Sequence, residues 1–214
     1  MDNNLPILAV ETSGEMCSVA ILQNGNVFAE SCIQKKHIHS QKLYSLIEQV
    51  LLNLDLSLQQ ISSIAISVGP GSFTGLRIGM SAVKGIAFGL NVPVIPVGTF
   101  DASSFQLFDL NRDLKNLAIV SKVNTTELYV QKFSRDIKSE NGNLEIITND
   151  ELEKYAEGYQ LYGNIKHNSV IPFESPSAVS IAKWAYIFGE DLLTSDYDYL
   201  EPNYVKKFVV RTIK

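Results

Sequence analysis

The sequence contains only two cysteines, no long apolar run and no excess of basic charge. Cys17 and Cys32 form no Cys-x-x-Cys pair and lie in apolar stretches, so we expect buried thiols in a reducing compartment and no disulfide framework. No apolar run approaches the ~18 residues of a membrane span, and the first residues carry no basic, cleavable leader. These absences predict a cytoplasmic protein without a membrane segment.

The charge balance excludes one further class of protein. Eighteen Lys and Arg residues oppose 23 Asp and Glu residues, for a net charge of -5. A protein that holds nucleic acid by phosphate neutralisation alone needs the opposite sign, so any nucleic-acid role is expected to be shared with a partner. The 214 residues are 45% hydrophobic with 13 Gly and 7 Pro, which is typical of a folded chain of one domain or two small lobes.

The first half of the chain predicts a mixed sheet with helices. Apolar runs separated by turn residues indicate three antiparallel strands, and the Asn24-Gly25 pair favours a type I′ hairpin turn. Ser40 is a candidate N-cap for an amphipathic helix over 41–54. The apolar strand over 62–68 then leads through a glycine-rich turn into a helix that ends near 90, and the strand VPVIPVG completes a βαβ unit.

The second half repeats the pattern of the first. LAIVSKV, ELYVQKF and LEIIT are predicted strands, followed by an ELEKYA helix, a YQLYG strand and a helix over about 177–190. We therefore expect two α/β lobes. The first lobe is predicted over 1–100 and the second over 101–190, with the segment 191–214 returning to the first lobe.

Two polar segments near predicted strand ends are candidates for phosphate binding. The glycine-rich turn combines a sharp backbone with a capping hydroxyl, so several N–H groups can point at an anion. The end of the first strand offers a carboxylate and two hydroxyls for a metal-bound phosphate. Both segments have a structural alternative, a tight strand-to-helix turn and a hairpin, and neither has Walker A or dinucleotide-binding spacing. The candidate residues are Glu11, Thr12, Ser13, Gly69, Gly71 and Ser72.

The predicted helix over 75–90 is apolar or small around more than half of its circumference. Each interior Gly costs about 1 kcal/mol relative to Ala, which indicates a close neighbour against the small face. That neighbour is either another chain or the protein's own sheet and first helix. Under the first alternative, charges at Gly79 or Ala82 abolish assembly without unfolding the chain. The interface candidates are Leu43, Ile47, Val50, Leu51, Gly75, Ile78, Gly79, Ala82 and Ile86.

The residues by themselves indicate no catalytic or metal constellation. His37 and His39 have no neighbouring Cys or carboxylate in sequence, so no metal site is expected. No Gly-x-Ser-x-Gly elbow occurs, and no serine or cysteine has a recognisable base partner. The C-terminal segment interleaves tyrosines with Lys and Arg, which is typical either of a nucleic-acid or partner contact or of a closing strand with solvated ends. The residues thus predict neither an enzyme nor a cofactor.

Four segments resemble the TsaB (YeaZ) family: ILAVETS, CSVAIL, HSQKLYSLIEQVL and above all VGPGSFTGLRIGMSAVKGIAFGLNVPVIPVGT. The resemblance is close from Ile7 to Thr99 and faint beyond, although Pro202-x-Tyr204 is similar to the family's C-terminal signature. It implies an actin-like, Hsp70-like ATPase (ASKHA) fold of two α/β lobes, each with a mixed sheet flanked by helices. It also implies that the two helices over 41–54 and 75–90 form the subunit interface.

The resemblance further implies a non-catalytic subunit that binds and activates TsaD. With the ATPase TsaE, that complex attaches a threonylcarbamoyl group to the adenosine beside the anticodon of certain tRNAs. ATP is then used by the complex and is not a cofactor of this chain, which reaches tRNA only through the complex. The isolated chain is expected to form homodimers through the same helices. The family is also grouped with glycoproteases, but the chain has no visible nucleophile or open metal site, so no protease activity is expected.

One departure from the family pattern bears on nucleotide binding. Many relatives read Asp-Ala-Arg ahead of a Glu-x-Tyr, whereas this chain reads Lys122-Val123-Asn124 ahead of Glu127. Replacement of an acid by Lys122 weakens the case for magnesium-nucleotide binding. The alternative function is a small ASKHA-fold ATPase or phosphotransferase that uses the Gly69–Gly75 turn. A phosphotransferase normally needs further carboxylates for magnesium and for a base.

Overall fold

A computed structural model describes residues 6–136 and 142–203. The first of its two sheets has the strand order β3-β2-β1-β4-β5. The central strand β1 pairs antiparallel with β2 and parallel with β4, and β4 pairs parallel with β5. This is the mixed sheet that the first half of the sequence predicts. Its strands are β1 (Ile7–Glu11), β2 (Met16–Gln23), β3 (Asn26–Gln34), β4 (Ser63–Ser67) and β5 (Val94–Val97).

The second sheet repeats the topology of the first. Its order is β10-β9-β6-β7-β8, with β6 antiparallel to β7 and parallel to β9. β6 therefore occupies the position that β1 has in the first sheet, and the two sheets are topological copies. The short strand β10 was missed by the sequence pattern because three residues are too few for a period. The strands are β6 (Asn116–Lys122), β7 (Glu127–Ser134), β8 (Glu145–Thr148), β9 (Gln160–Gly163) and β10 (Val170–Pro172).

Helices cover both faces of the first sheet. The helices are α1 (His39–Leu52), α2 (Phe73–Leu90), α3 (Thr99–Leu110), α4 (Leu152–Tyr155) and α5 (Ala178–Phe188). Leu8 and Val10 pack with α1 and α2, whereas Ile7 and Ala9 pack with α5. This alternation is the period of two expected for a strand, and burial on both faces explains why β1 reads as one apolar run. Among the described helices, none has the length and apolarity to cross a bilayer.

The position of α5 corrects the predicted lobe division. The sequence pattern predicts the helix over 177–190 as part of the second lobe, but the buried face of α5 packs on the first sheet. Ala178, Ala182 and Ala185 are fully buried, and such small side chains let the helix approach the sheet closely. The local pattern predicted the helix correctly, but it carries no information about which sheet the helix covers.

The chain after α5 also contacts the first sheet. Thr194 forms an antiparallel bridge with Val94, and Leu200 is buried in the core beneath α1 and α2. The Tyr197 hydroxyl donates to the carbonyl oxygens of Ala87 and Val92 at 3.2 and 2.8 Å. The rest of the predicted returning segment, residues 204–214 with the Tyr204 signature and the basic tail, lies outside the described residues.

Local signals in the sequence had different outcomes. The hairpin turn is confirmed, since Asn24 and Gly25 have φ values of 53° and 73°. Ser72 caps α2, because its side chain accepts a hydrogen bond from the Gly75 N–H at 3.2 Å. The predicted N-cap at Ser40 is wrong: α1 begins at His39 after Ile38, without a side-chain cap.

Candidate functional site

The glycine-rich turn is tied into the chain on both sides. Ser72 donates its backbone N–H to the carbonyl oxygen of Ser13 at 2.7 Å, which joins the turn to the β1–β2 connection. Gly69 donates to Thr99 Oγ1 at 3.0 Å, and Thr99 returns a bond from its N–H to the Gly69 carbonyl at 2.9 Å. Several N–H groups that the sequence offered to an anion are therefore bonded within the protein. The structural alternative describes this turn better than a phosphate cradle does.

The small face of α2 packs against the same β1–β2 connection. A Cβ atom on Gly75 would lie 2.1 Å from the Thr12 carbonyl oxygen, and one on Gly79 would lie 2.2 Å from Thr12 Oγ1. A Cβ on Gly71 would lie 2.7 Å from Ser13 Cβ. Real Cβ atoms do not approach other atoms this closely, so glycine is required at these positions. At Gly75 and Gly79 the neighbour of the small face is thus the protein's own chain, whereas Gly85 and Gly89 have open space at their Cβ positions.

Most of the predicted interface residues accordingly lie inside the protein. Leu43, Ile47, Val50, Leu51, Gly75, Gly79 and Ala82 are buried, and Ile78 and Ile86 are half-buried. Most of them support the outer surface of α1 and α2 from beneath, while Leu43, Ile78 and Ala82 line a groove in that surface. The expectation that a charge at Gly79 or Ala82 spares the fold is wrong, because both positions are in the core of the first lobe.

The outer surface of α1 and α2 carries large apolar side chains, and we call it the α1/α2 face. Phe88 is 77% exposed and Tyr44 is 61% exposed. The Arg77 guanidinium lies over the Phe73 ring at 3.9 Å from its centroid. Gly85, also on this surface, has open space around its Cβ position. The interface candidates from the sequence include none of these side chains, because they were drawn from the apolar and small positions that face inward on the two helices.

A groove of about 550 Å³ runs between the two helices on the α1/α2 face. His39 on one wall is buried, and its Nε2 has no hydrogen-bond partner among residues 6–136 and 142–203. His37, which would share a face with His39 if the segment were extended, is exposed and has a φ of 59°. Within the described ranges no three His, Cys, Asp or Glu side chains form a metal-type cluster. The groove is lined by His39, Ser40, Leu43, Tyr44, Phe73, Thr74, Arg77, Ile78, Ser81 and Ala82.

A second candidate site surrounds Glu11, where β1 ends. The Glu11 side chain is fully buried, and its Oε1 accepts a hydrogen bond from the Ser13 N–H. Burial raises the pKa of Glu11 to about 7, although the hydrogen bond from the Ser13 N–H acts in the opposite direction. Several neighbouring buried oxygens have no protein partner in the described part of the chain: Glu11 Oε2, Thr12 Oγ1, Ser13 Oγ, Ser67 Oγ and Ser175 Oγ.

The cleft between the lobes offers little room beside this polar cluster. Its cavity of about 20 Å³ is bordered by Ser13 and Gly71 from the first lobe and by Ser121 and Asn164 from the second. A water molecule needs roughly 10–15 Å³ of such space, whereas ligand pockets usually measure about 300–1,000 Å³. In this conformation the cleft accommodates a water molecule and not a nucleotide.

The comparisons with known proteins agree with this architecture. The model of the protein family described as "TsaD: tRNA N6-adenosine threonylcarbamoyltransferase" matches residues 5–186. The solved structure of YeaZ from Pseudomonas aeruginosa superposes with a TM-score of 0.78, covering 94% of this chain and all of that chain at 22% identity. The fold is therefore the two-lobed, ASKHA-like α/β fold. The chain belongs to the TsaD-type family and, within it, to the TsaB (YeaZ) proteins.

The curated relatives match part of their length. The chain is 34% identical over 140 residues to the tRNA threonylcarbamoyladenosine biosynthesis protein TsaB of Haemophilus influenzae, which covers 62% of this chain and 56% of that protein. It is 35% identical over 138 residues to TsaB of Escherichia coli, covering 64% and 57%. The chain thus spans a little over half the length of the curated relatives it matches.

Two alanine substitutions in the same helix should have opposite effects on stability. Gly75→Ala places a methyl group against the Thr12 carbonyl oxygen, so we expect the free energy of unfolding to fall by about 1–3 kcal/mol. Gly85→Ala fills open space in a helix interior and should raise it by up to about 1 kcal/mol. Urea denaturation measures both values. Equal effects of the two substitutions would contradict the assignment of the small face to internal packing.

Glu11→Gln should remove a pH-dependent loss of stability. Burial raises the pKa of Glu11 from its ordinary 4.5 to about 7, so the folded state holds this proton more tightly than the unfolded state does. Ionisation of Glu11 therefore lowers the free energy of unfolding as the pH rises from about 4.5 through 7. Relative to the wild type, the free energy of unfolding of the variant should rise by up to about 3 kcal/mol between pH 4.5 and 8. Urea denaturation at several pH values measures this difference. A difference that does not change with pH would contradict this environment for Glu11.

Proposed function

We propose that this chain is a non-catalytic scaffold subunit in the biosynthesis of threonylcarbamoyladenosine in tRNA. In this role it binds and activates a homologue of TsaD, and a homologue of TsaE acts with the pair. The chain's membership of the TsaB proteins supports the pathway, because the curated relatives are named for it. In this proposal ATP is used by the complex, and the chain reaches the tRNA through the complex.

The α1/α2 face is the observation that carries the proposal. Exposed Tyr44 and the Phe73–Arg77 pair line the groove between the helices, and Phe88 is exposed further along α2, where its ring packs edge-on against Tyr197. Aromatic and Arg side chains dominate the binding energy of protein interfaces, and contiguous exposed apolar surface marks such interfaces on soluble proteins. Gly85 adds room for a close approach, since its side of α2 is open. These features favour a protein partner over a small-molecule ligand at this face.

A partner with the same fold suits this face. A TsaD homologue belongs to the same family, so it would present equivalent helices, and two such helix pairs can associate about an approximate two-fold axis. The same geometry permits two copies of this chain to associate when the partner is absent. The expected homodimer and the heterodimer would therefore compete for one surface.

The surroundings of Glu11 support a role without catalysis. Burial raises the pKa of this carboxyl to about 7, so a magnesium ion that bound it directly at neutral pH would have to displace its proton in part of the molecules. Lys122 ends β6 at the place where an acid was expected for nucleotide binding. The alternative, a small ATPase or phosphotransferase that uses the Gly69–Gly75 turn, would also need the narrow cleft to widen.

Ser81→Arg should prevent binding of the TsaD homologue without harming the fold. Ser81 is exposed and lines the groove, so a long charged side chain there obstructs the α1/α2 face while leaving the core unchanged. Light scattering after gel filtration should show a heterodimer for the wild type and for the matched control Ser81→Ala, but separate proteins for Ser81→Arg. If Ser81→Arg formed the heterodimer as well as the wild type does, that result would contradict the assignment of the α1/α2 face as the binding site for the TsaD homologue.

A further inference from the structure

A pocket of about 720 Å³ lies between α3, the end of α5 and the end of β7, and we call it the α3/α5 pocket. Ser134 at the end of β7 pairs with Asn116 at the start of β6, whereas Ser121 near the other end of β6 borders the cleft. The pocket is therefore at the opposite end of β6 from the cleft. None of its described lining residues lines the groove of the α1/α2 face. Its volume is within the usual range of ligand sites, about 300–1,000 Å³.

Four aromatic side chains line the α3/α5 pocket: Phe105 and Phe108 on α3, and Trp184 and Phe188 on α5. The centroid of the Phe188 ring lies 5.6 Å from that of Trp184 and 6.3 Å from that of Phe105. We call these three rings the aromatic cluster. Phe188 is exposed, so part of the cluster is accessible to a ligand. Aromatic faces attract a cation that comes within about 6 Å of the ring centroid, so this lining suits a cation with an apolar body.

The charged side chains of the pocket are mostly carboxylates. Asp109 forms an ion pair with Lys183 at 3.1 Å. Neither Asp101 nor Asp191 forms an ion pair with a basic side chain in the described part of the chain. The pocket therefore carries net negative charge. One basic residue, Arg135, is among its described lining residues, together with four aspartates: Asp101, Asp109, Asp136 and Asp191.

Arg135 is bonded to the backbone around the end of α3. Its Nη2 donates to the carbonyl oxygens of Phe108 and Asn111, each at 2.6 Å. Its Nε donates to the Leu114 carbonyl oxygen at 2.8 Å. Three of the five N–H groups of the guanidinium are thus used by the backbone. Arg135 cannot turn towards the aspartates of the pocket without losing these bonds.

Asp101 has an environment that favours a nearby cation. It is half-buried in the first turn of α3, and burial raises the pKa of its carboxyl from 3.8 to about 6. The hydrogen bond from its own backbone N–H acts in the opposite direction. The carboxyl is mostly ionised at neutral pH and carries a cost of desolvation, which a bound cation would offset.

We propose that the α3/α5 pocket binds an organic cation, an alkylguanidinium or alkylammonium group with an apolar body. Asp101 and Asp191 supply the opposite charge, and the aromatic cluster contacts the apolar body and attracts the charge. The chain itself forms one contact of this kind, since the Arg135 guanidinium lies 5.0 Å from the centroid of the Phe108 ring. The cation is either a free small molecule or the arginine or lysine side chain of a peptide segment. This proposal does not rest on the scaffold function.

The test uses Trp184, the single tryptophan of the chain, because its emission reports on this pocket directly. Butylguanidinium should change the emission saturably, whereas its neutral analogue butylurea should not. Asp101→Asn with Asp191→Asn should weaken butylguanidinium binding at least tenfold, because both charges are removed while Asn keeps an acceptor for the backbone N–H. The matched control, Asp150→Asn with Asp198→Asn, removes two exposed charges that do not line the pocket and should bind within twofold of the wild type.

Peptides distinguish the two sources of the cation. An acetylated and amidated Leu-Arg-Leu tripeptide is titrated beside its citrulline analogue, in which a neutral urea replaces the guanidinium. Tighter binding of the arginine peptide than of butylguanidinium assigns the pocket to the side chain of a protein segment, and binding that is no tighter assigns it to a free cation.

Three results would overturn the proposal: no saturable response to either charged probe, equal responses to the charged and neutral probes, or equal binding by the two double variants. The comparison of charged with neutral probes uses the wild type alone, so it decides the question independently of how the substitutions affect folding.

Discussion

The close packing of α2 on the β1–β2 connection is the constraint on which the rest of the first lobe depends. Gly75 and Gly79 lie against Thr12 with no room for a Cβ atom, and Ser72 bonds to the Ser13 carbonyl oxygen. This contact fixes the rotation of α2 about its axis. Once that rotation is set, Leu76, Met80 and Val83 must enter the core, and Arg77, Ser81 and Phe88 must face outward.

The same contact determines what each candidate site can do. It holds the glycine-rich turn against the β1–β2 connection, so several N–H groups of the turn are hydrogen-bonded within the protein. Little space remains beside Glu11. It also presents the aromatic side of α2 next to α1, where Tyr44 completes an exposed surface. Under the proposed scaffold function, this exposed surface is the one that contacts the partner protein. In the second lobe, Lys122 and Lys166 line a pocket at the carboxyl ends of β6 and β9, the strands that correspond to β1 and β4.

Short-range signals in the sequence predicted most of the local structure. The Asn24-Gly25 turn, every strand of the two sheets except β10, and the Ser72 cap follow from backbone geometry within a few residues, so they can be predicted without tertiary contacts. The pairing of α5 with the first sheet could not be predicted, since an amphipathic pattern reveals a buried face but not its neighbour. Phe88 and Tyr44 were missed for the related reason that a helical projection does not fix which sector stays uncovered.

The most direct test of the scaffold account is reconstituted threonylcarbamoylation of tRNA with the TsaD and TsaE homologues and a threonylcarbamoyl donor. The account predicts that modification requires this chain, survives Glu11→Gln and is lost with Ser81→Arg, because the α1/α2 face and not the Glu11 cluster performs the function. Modification that is lost with Glu11→Gln in a correctly folded protein, yet persists with Ser81→Arg, would contradict the account and favour chemistry at the end of β1.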